Sequence, residues 1–268
     1  MNRARIAELL QPFLHGANDQ RPAANDALIQ SISTYIDLLE RWNARINLTA
    51  IRDSEEIVTR HFGESLFAAR HLFPTRAADF STTTHVGTAA LGCPAEQSSA
   101  VAAAEGRQTS SANINDPESI ANDQPTTTNH PITLADLGSG AGFPGIPIKL
   151  WAPEISLTLI ESNHKKATFL REVTRALTLT NVDIKITRAE TLAGREFDIV
   201  TLRAVERFET VLPIAASLVA PGGRLALLIG SGQLAQAQTM SPSDFKWFKQ
   251  QPVPQSKSRV LALAQAPG

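Results

Sequence analysis

A glycine-rich turn at the end of an apolar stretch constrains this sequence more than any other feature. Residues 132–137 (ITLADL) are apolar and extended in pattern, and glycines follow at positions 138, 140 and 142. Glycine adopts positive φ without steric cost and has no side chain to keep a ligand away. A strand that runs into such a turn and then into a helix brings backbone N–H groups close to a ligand. The pattern predicts a binding edge of an α/β sheet, although the same glycines also suit a tight turn that binds nothing.

Two nucleotide-type interpretations of the turn compete. Residues 140–145 (GAGFPG) match the dinucleotide spelling G-x-G-x-x-G, but the match begins two residues too late, since the first glycine of that motif closes the strand. The better-placed pattern is Asp136 followed by the alternate glycines. It resembles the first motif of class I methyltransferases that use S-adenosylmethionine (SAM), and the resemblance implies that the turn, including Gly138, Ser139 and Gly140, wraps the methionine part of SAM.

An acidic residue follows the next predicted strand. Residues 156–160 (SLTLI) form that strand, and Glu161 ends it. In the SAM-dependent class, the acid at this place binds the ribose hydroxyls, and a carboxylate suits the task because it accepts from both hydroxyls at once. The alternative is a solvated acid at a strand end, which the spacing disfavours.

Composition limits the possible partners and compartments. The chain has 25 Lys and Arg against 26 Asp and Glu in 268 residues, so any RNA contact must come from a local basic patch. Its one cysteine, Cys93, forms no intramolecular disulfide and is typical of a reducing compartment. No signal-peptide core or membrane-spanning run is evident. We expect a cytoplasmic, monomeric protein with no membrane partner and no metal site.

Three regions differ in pattern. Residues 1–75 predict helices, with apolar stripes at helical spacing and a cap for a third helix at Asp53 or Ser54. Residues 76–131 are rich in small and polar residues with no lasting apolar period, which predicts a low-complexity flexible insert. Residues 132–268 alternate predicted strands and helices, as a mostly parallel sheet requires.

The predicted sheet places its loops along one edge. Further strands are predicted at 182–187, 197–202 and 224–229, with a helix between the last two that stops at Pro221. An antiparallel hairpin from 245–248 and 260–263 ends the fold. The loops at 138–143, 161–162, 189–190 and 203 all follow carboxyl ends of strands, where open α/β sheets bind ligands. The predicted fold class is therefore a Rossmann-like class I SAM-dependent methyltransferase with a helical N-terminal extension.

Several longer motifs resemble one family in particular. They are residues 38–53 (LLERWNARINLTAIRD), Arg60-His61, Ser65-Leu66, residues 136–147 (DLGSGAGFPGIP), residues 161–166 (ESNHKK), Arg188-Ala-Glu and Arg203-Ala-Val. Together they are similar to the bacterial 16S rRNA guanine-N7 methyltransferases (RsmG, also called GidB), over about 25–75 and 132–230.

The resemblance implies methyl transfer from SAM to N7 of one guanine in 16S ribosomal RNA, as free RNA or within the small subunit. It implies cofactor contacts at Gly138, Phe143, Ala189, Glu190 and Arg203. We expect Arg203 to position the reacting groups, with an ion pair to Glu206 or Asp198 as the alternative.

Four other residues are weaker candidates for RNA contact. They are Arg60, His61, Lys165 and Lys166. A satisfied interface group is the alternative for the histidine, and a solvated helix face is the alternative for the lysines.

The chain departs from the family pattern at three places. Glu64 stands before Ser65-Leu66 where the family usually has aspartate, and Ile229 stands where a lysine is common. The insert at 76–131 replaces a short connection. If the family lysine holds RNA phosphate, the isoleucine removes that contact here.

The expected chemistry needs no general base. Guanine N7 has a free lone pair at neutral pH, so transfer depends on proximity and alignment. Methylation of a pyrimidine C5 by covalent addition needs a nucleophilic cysteine, and the one cysteine of this chain lies in the predicted insert. Methylation of an exocyclic amine commonly uses an Asn/Asp-Pro-Pro-aromatic motif after the fourth strand, whereas residues 201–205 read TLRAV there. The alternatives are a SAM enzyme acting on a protein or small molecule, a non-catalytic nucleotide- or RNA-binding module, and an NAD-dependent dehydrogenase.

The interpretation of the insert makes a prediction. A chain in which residues 78–129 are replaced by a short linker should fold and bind SAM, because an insert without an apolar period adds nothing to the core. Circular dichroism and calorimetric titration with SAM measure both properties. A soluble deletion protein that binds no SAM would refute the interpretation.

Overall fold

The computed structural model describes residues 1–14, 25–74, 130–192, 194, 196–203 and 208–268. All of these except His130 belong to one compact unit, made of Met1–Thr82 and Pro131–Gly268. The predicted insert at 76–131 lies outside the described residues except at its last two positions, so its interpretation stays a prediction. None of the described helices is both long and apolar enough to cross a membrane.

The N-terminal region is helical, as predicted. Its helices are α1 (Arg3–Leu14), α2 (Asp26–Asn43), α3 (Ser54–Glu56) and α4 (Glu64–Leu72), with a π-helical turn at Ile57–Gly63 between the last two. The predicted cap at Asp53 is confirmed, because its side chain accepts a hydrogen bond from the Glu56 N–H at 2.8 Å. Helix α2 buries one apolar face, which includes Ile32, Tyr35 and Leu39.

The remainder alternates strands and helices and confirms the predicted sheet. The strands are β1 (Thr133–Leu137), β2 (Ser156–Ile160), β3 (Val182–Lys185), β4 (Phe197–Arg203), β5 (Val219–Gly230), β6 (Lys246–Trp247), β7 (Gln251–Pro252) and β8 (Arg259–Gln265). The helices are α5 (Gly145–Trp151), α6 (His164–Ala176), α7 (Phe208–Ser217) and α8 (Leu234–Met240). The sheet order is β3-β2-β1-β4-β5-β8-β6, with β7 also paired to β8. Strands β1 to β5 are parallel, and β8 is antiparallel to β5.

Among the described residues, the two largest of three hydrophobic clusters lie on opposite faces of the sheet. Successive residues of β1 alternate between them, as a strand's period of two requires: Leu134 joins the core with α1, α2, α5 and α6, and Ala135 joins the core with α7 and α8. The N-terminal helices are therefore part of one face of the sheet. Their apolar stripes are buried against the layer that carries the glycine turn.

Several predicted boundaries differ from the structure. Strand β3 ends at Lys185 rather than at 187, and β4 ends at Arg203 rather than at 202. Strand β5 begins at Val219 rather than at 224, because Val219 pairs with Phe197 of β4 across a register shift. Helix α7 consequently ends at Ser217, before Pro221. Helix α8 was not predicted, since its seven residues are too few to show a clear apolar period.

Gly142 offers a test of how tightly the turn packs. Its φ is +87°, and a Cβ there would collide with the Tyr35 hydroxyl and lie 2.7 Å from Ile146 Cδ1. We expect Gly142→Ala to lower the free energy of unfolding by about 3 kcal/mol or more, from strain and overpacking together. Urea denaturation measures this loss. Gly232→Ala is the matched control, because a Cβ at Gly232 meets nothing within 4 Å. Equal stability of the two variants would contradict the packing described here.

Candidate functional site

A cleft of about 380 Å³ opens at the carboxyl ends of the first three strands. Five of its lining residues were predicted as cofactor contacts: Gly138, Gly140, Glu161, Ala189 and Glu190. The other lining residues are Leu137, Ile160, Ser162, Lys166, Thr187, Arg188 and Val211. The cleft lies at the edge where parallel sheets bind ligands.

The glycine turn leaves its backbone open to this cleft. Gly138 and Gly140 have φ of +66° and +57°. Among the residues that the structure describes, a Cβ on Gly140 would find only the Gly138 carbonyl oxygen, at 3.7 Å, so the turn is open to them on this side. The Gly138 and Ser139 N–H groups donate to the Ile160 carbonyl at 2.9 and 3.1 Å, which ties the turn to the end of β2.

Glu161 joins the turn to the start of helix α6. Its Oε2 accepts from the Gly140 N–H at 2.9 Å, and its Oε1 accepts from the Asn163 N–H at 2.8 Å. The residue is only 7 % exposed, yet it lines the cleft. Each carboxylate oxygen has a second lone pair, so the group can still accept from a ligand hydroxyl.

Asp136 lies beneath the turn rather than in the cleft. Its Oδ1 accepts from the Thr201 hydroxyl at 2.8 Å, and its Oδ2 accepts from the Gly145 N–H at 3.1 Å. Burial raises the pKa of this carboxyl to about 6. The acid of the predicted motif therefore links β1, β4 and the first residue of α5.

Ser139 and Phe143 were predicted to contact the cofactor, but their side chains are engaged elsewhere. The Ser139 hydroxyl donates to the Asp136 carbonyl at 2.8 Å and accepts from the Ile160 N–H at 3.1 Å. The Phe143 ring stacks on the rings of Tyr35 and His61, with centroids 5.3 and 4.7 Å away and interplanar angles of 6° and 15°. Neither residue lines the cleft, so their cofactor contacts stay predictions.

Helix α2 reaches the turn through the same stack. The Tyr35 hydroxyl donates a hydrogen bond to the Ala141 carbonyl, and the ring is fully buried. Burial raises the pKa of this hydroxyl, so it stays protonated and keeps donating. Tyr35 was not predicted as a site residue, because its spacing in α2 marks only a core position.

Arg203 lies at the carboxyl end of β4, and its guanidinium faces the N-terminal helices. It donates to the Arg60 carbonyl at 2.6 Å and contacts the His61 Nδ1 at 3.0 Å. It also forms an ion pair with Glu64 at 3.3 Å. The expected alternative partner Asp198 instead accepts from Thr133 at 2.8 Å, and Glu206 lies outside the described residues. Arg203 does not line the cleft, so its direct role with cofactor or substrate stays a prediction.

Glu64 neutralises two arginines from distant parts of the chain. Besides Arg203, it pairs with Arg259 of β8 at 3.0 Å, and the Glu64 side chain is only 3 % exposed. Burial lowers the pKa of the Arg203 guanidinium, and the Glu64 charge opposes that change. Arg259 was not predicted from the sequence, since an arginine at the start of a strand carries no signal of its partner.

The four predicted RNA contacts are separated by the structure. Lys166 lines the cleft, and Lys165 is exposed one residue earlier on α6. Arg60 forms a surface ion pair with Glu56 at 3.0 Å. His61 is buried and has both ring nitrogens engaged, by Thr49 at 2.8 Å and by Arg203. For His61 the structure favours the alternative, a satisfied interface group.

A parallel sheet in this order, with a glycine turn after β1 and an acid after β2 facing one cleft, defines a class I SAM-dependent methyltransferase fold. The sequence matches the GidB family, described as rRNA small subunit methyltransferase G, over residues 28–95 and 118–260. The chain belongs to this family.

Named relatives agree with that assignment. A protein of Stenotrophomonas maltophilia named ribosomal RNA small subunit methyltransferase G is 34 % identical over 76 % of this chain and 70 % of its own length. A protein of the same name from Halorhodospira halophila is 32 % identical over 75 % of this chain and 69 % of its own. Among solved structures, Pyrococcus horikoshii TYW2 in complex with MeSAdo is 14 % identical, covers 52 % of this chain and 58 % of its own, and has a TM-score of 0.44.

The lowered pKa of His61 predicts that the stability of the protein depends on pH. Burial and the charges of Arg203, Arg60 and Arg259 lower its pKa from 6.5 to about 3. As pH falls, His61 is therefore protonated in the unfolded chain before it is protonated in the folded one. Protonation stabilises the unfolded chain, so the free energy of unfolding decreases as pH falls below about 6.5. Between pH 7 and 5, we expect the wild type to lose about 2 kcal/mol more unfolding free energy than His61→Gln.

Urea denaturation at the two pH values measures this difference. His164→Gln is the control, because His164 is exposed and should leave the pH dependence as in the wild type. If wild type and His61→Gln lost the same free energy, His61 would not be the buried neutral group described here.

Proposed function

We propose that this protein transfers a methyl group from SAM to the small-subunit ribosomal RNA, with guanine N7 as the acceptor atom. The observation that carries the proposal is the pairing of an open glycine turn with a strand-ending carboxylate across one cleft. Gly140 and Glu161 are joined by a hydrogen bond of 2.9 Å and both line the cleft. Membership in the GidB family supports RNA as the substrate.

The residues of the cleft fit the parts of SAM. The volume of about 380 Å³ lies in the range of small-molecule sites. Glu161 would accept from the ribose hydroxyls with its remaining lone pairs, and the open side of Gly140 would leave room for the methionine part. Ala189 and Glu190, in a short helical turn after β3, would frame the adenine.

Bound SAM supplies an activated methyl group on a sulfonium. The protein's part is to hold and orient the reactants, because a guanine N7 lone pair is available at neutral pH and no proton must be removed first. Lys166 and Arg188 at the cleft would attract RNA phosphates. Arg203 would hold the glycine turn indirectly, because it contacts His61, and His61 stacks on Phe143 of that turn.

The test is transfer of label from methyl-labelled SAM. The acceptors are 16S ribosomal RNA transcripts and small subunits that lack the modification, and the labelled nucleoside is identified by chromatography. We expect 7-methylguanosine. Label in another nucleoside would refute the acceptor atom, and SAM binding without RNA labelling would favour a protein or small-molecule substrate.

A variant links the transfer to the cleft. Glu161→Gln has one acceptor oxygen for the two N–H groups of Gly140 and Asn163, so the turn loosens and the ribose loses a charged acceptor. We expect the Kd for SAM to rise about tenfold or more. A tenfold rise corresponds to a loss of about 1.4 kcal/mol of binding free energy. Isothermal titration calorimetry measures this change.

Glu172→Gln is the matched control. Glu172 lies on α6 outside the cleft and accepts from the Trp42 indole N–H at 2.9 Å, so SAM binding should be unaffected. Unchanged SAM affinity in Glu161→Gln would remove Glu161 from the cofactor site.

A further inference from the structure

A second cleft, of about 270 Å³, lies away from the glycine turn. One wall is the π-helical turn with Thr59 and Arg60, and the other is the loop that joins β7 to β8, residues 253–258. The lining is mostly polar and charged, with Phe13 and Pro254 as its apolar members. None of its residues lines the cofactor cleft.

Among the described residues that line this second cleft, cations outnumber carboxylates. Within that part of the chain, Arg60, Lys257 and Arg259 line it together with one acid, Glu64. That acid is already shared between Arg259 and Arg203, at 3.0 and 3.3 Å. Arg60 has Glu56 as a surface partner, whereas no hydrogen bond or ion pair engages the Lys257 ammonium among the residues that the structure describes. Counted over the described residues, the cleft therefore carries a positive charge that no carboxylate compensates.

Arg259 also has a hydrogen-bonding group to spare. Its Nη2 is buried and has no hydrogen-bond partner within the described part of the chain. A buried donor without an acceptor costs stability, and a charged one costs more. Guanidinium groups match the geometry of phosphate oxygens, so a phosphate is the ligand that this donor and these charges fit best.

The position of the second cleft relates it to the substrate rather than to the cofactor. Arg259 pairs with Gly230 at the carboxyl end of β5, and Arg203 ends the neighbouring strand β4. Both arginines thus lie at the sheet edge that carries the glycine turn. Arg203 connects the two places, since it contacts Glu64 of the second cleft and also His61, which stacks on Phe143.

We propose that this second cleft binds a phosphate group of the RNA backbone. The inference rests on the proposed function, because it assigns to the same substrate a contact outside the cofactor site. Lys257 at the exposed rim and Arg259 at the base would bind the phosphate, with Arg60 beside them. A phosphate held here would fix the RNA strand at the edge where a base enters the cofactor cleft.

Lys257 is the residue to change, because it is exposed and supports no other contact within the described residues. The probe is fluorescence anisotropy of a labelled 16S ribosomal RNA fragment at several salt concentrations, with wild type, Lys257→Ala and Lys257→Glu. We expect Lys257→Ala to weaken RNA binding about threefold to tenfold. The slope of log K against log salt should become shallower by about 0.7 to 0.9, because the variant neutralises one phosphate fewer. Lys257→Glu should weaken binding further.

Lys249→Ala is the matched control. Lys249 is an exposed lysine in the same C-terminal region and does not line the second cleft, so RNA affinity and salt slope should be as in the wild type. Calorimetric SAM binding should be the same in all four proteins. Equal losses of affinity in Lys257→Ala and Lys249→Ala would overturn the proposal, because they would reflect net charge alone.

A free phosphate is the competing ligand. Inorganic phosphate at constant ionic strength is added to wild type and Lys257→Glu, and the Tm is measured. A Tm increase confined to wild type, together with equal RNA affinity in wild type and Lys257→Ala, would overturn the RNA assignment in favour of a free anion.

The two proposals can fail separately. If wild type methylates RNA while Lys257→Ala binds RNA equally well, only the phosphate site in the second cleft is refuted. A wild type that methylates no RNA would refute the proposed function and the inference with it.

Discussion

The glycine turn after β1 is held in place by contacts on two sides, and the site depends on this. On the cleft side, Glu161 accepts from the Gly140 N–H and keeps the turn close to the end of β2. On the core side, the Tyr35 hydroxyl donates to the Ala141 carbonyl, and the Tyr35 ring stacks on Phe143. The positive φ of its three glycines has no steric cost, and these contacts fix the turn in that one conformation. These internal contacts therefore shape the wall of the cleft at Gly140 and Glu161.

The N-terminal helices help to hold the glycine turn for the same reason. Tyr35 comes from α2 and His61 from the π-helical turn, and both rings stack on Phe143. π-Helical turns are often found at functional sites, where they re-aim side chains. Here the π-helical turn directs His61 to the glycine turn, and it directs the Arg60 carbonyl to Arg203. A substitution in these helices would thus alter the glycine turn, and with it the cleft that the turn lines.

Charge is distributed so that the two clefts have different chemistry. The cofactor cleft combines the carboxylates of Glu161 and Glu190 with the cations of Lys166 and Arg188, which suits a ligand with hydroxyl and charged groups of both signs. The second cleft has one shared carboxylate, Glu64, among several cations. The near-neutral composition of the whole chain hides this difference. Local charge, rather than net charge, is what an RNA would meet.

Most of the fold could be predicted from the sequence, because strand and helix periods, helix caps and the glycine turn are local properties. The spacing from the glycines to Glu161 also located two parts of one cleft, since consecutive parallel strands end at the same edge. The partners of Arg203, the stack on Phe143 and the inward direction of Asp136 could not be predicted. Arg203 and His61 are 142 residues apart, and nothing local in either indicates the other. Side-chain direction is set by which faces become buried, and only the packing of the helical layer on the sheet decides that.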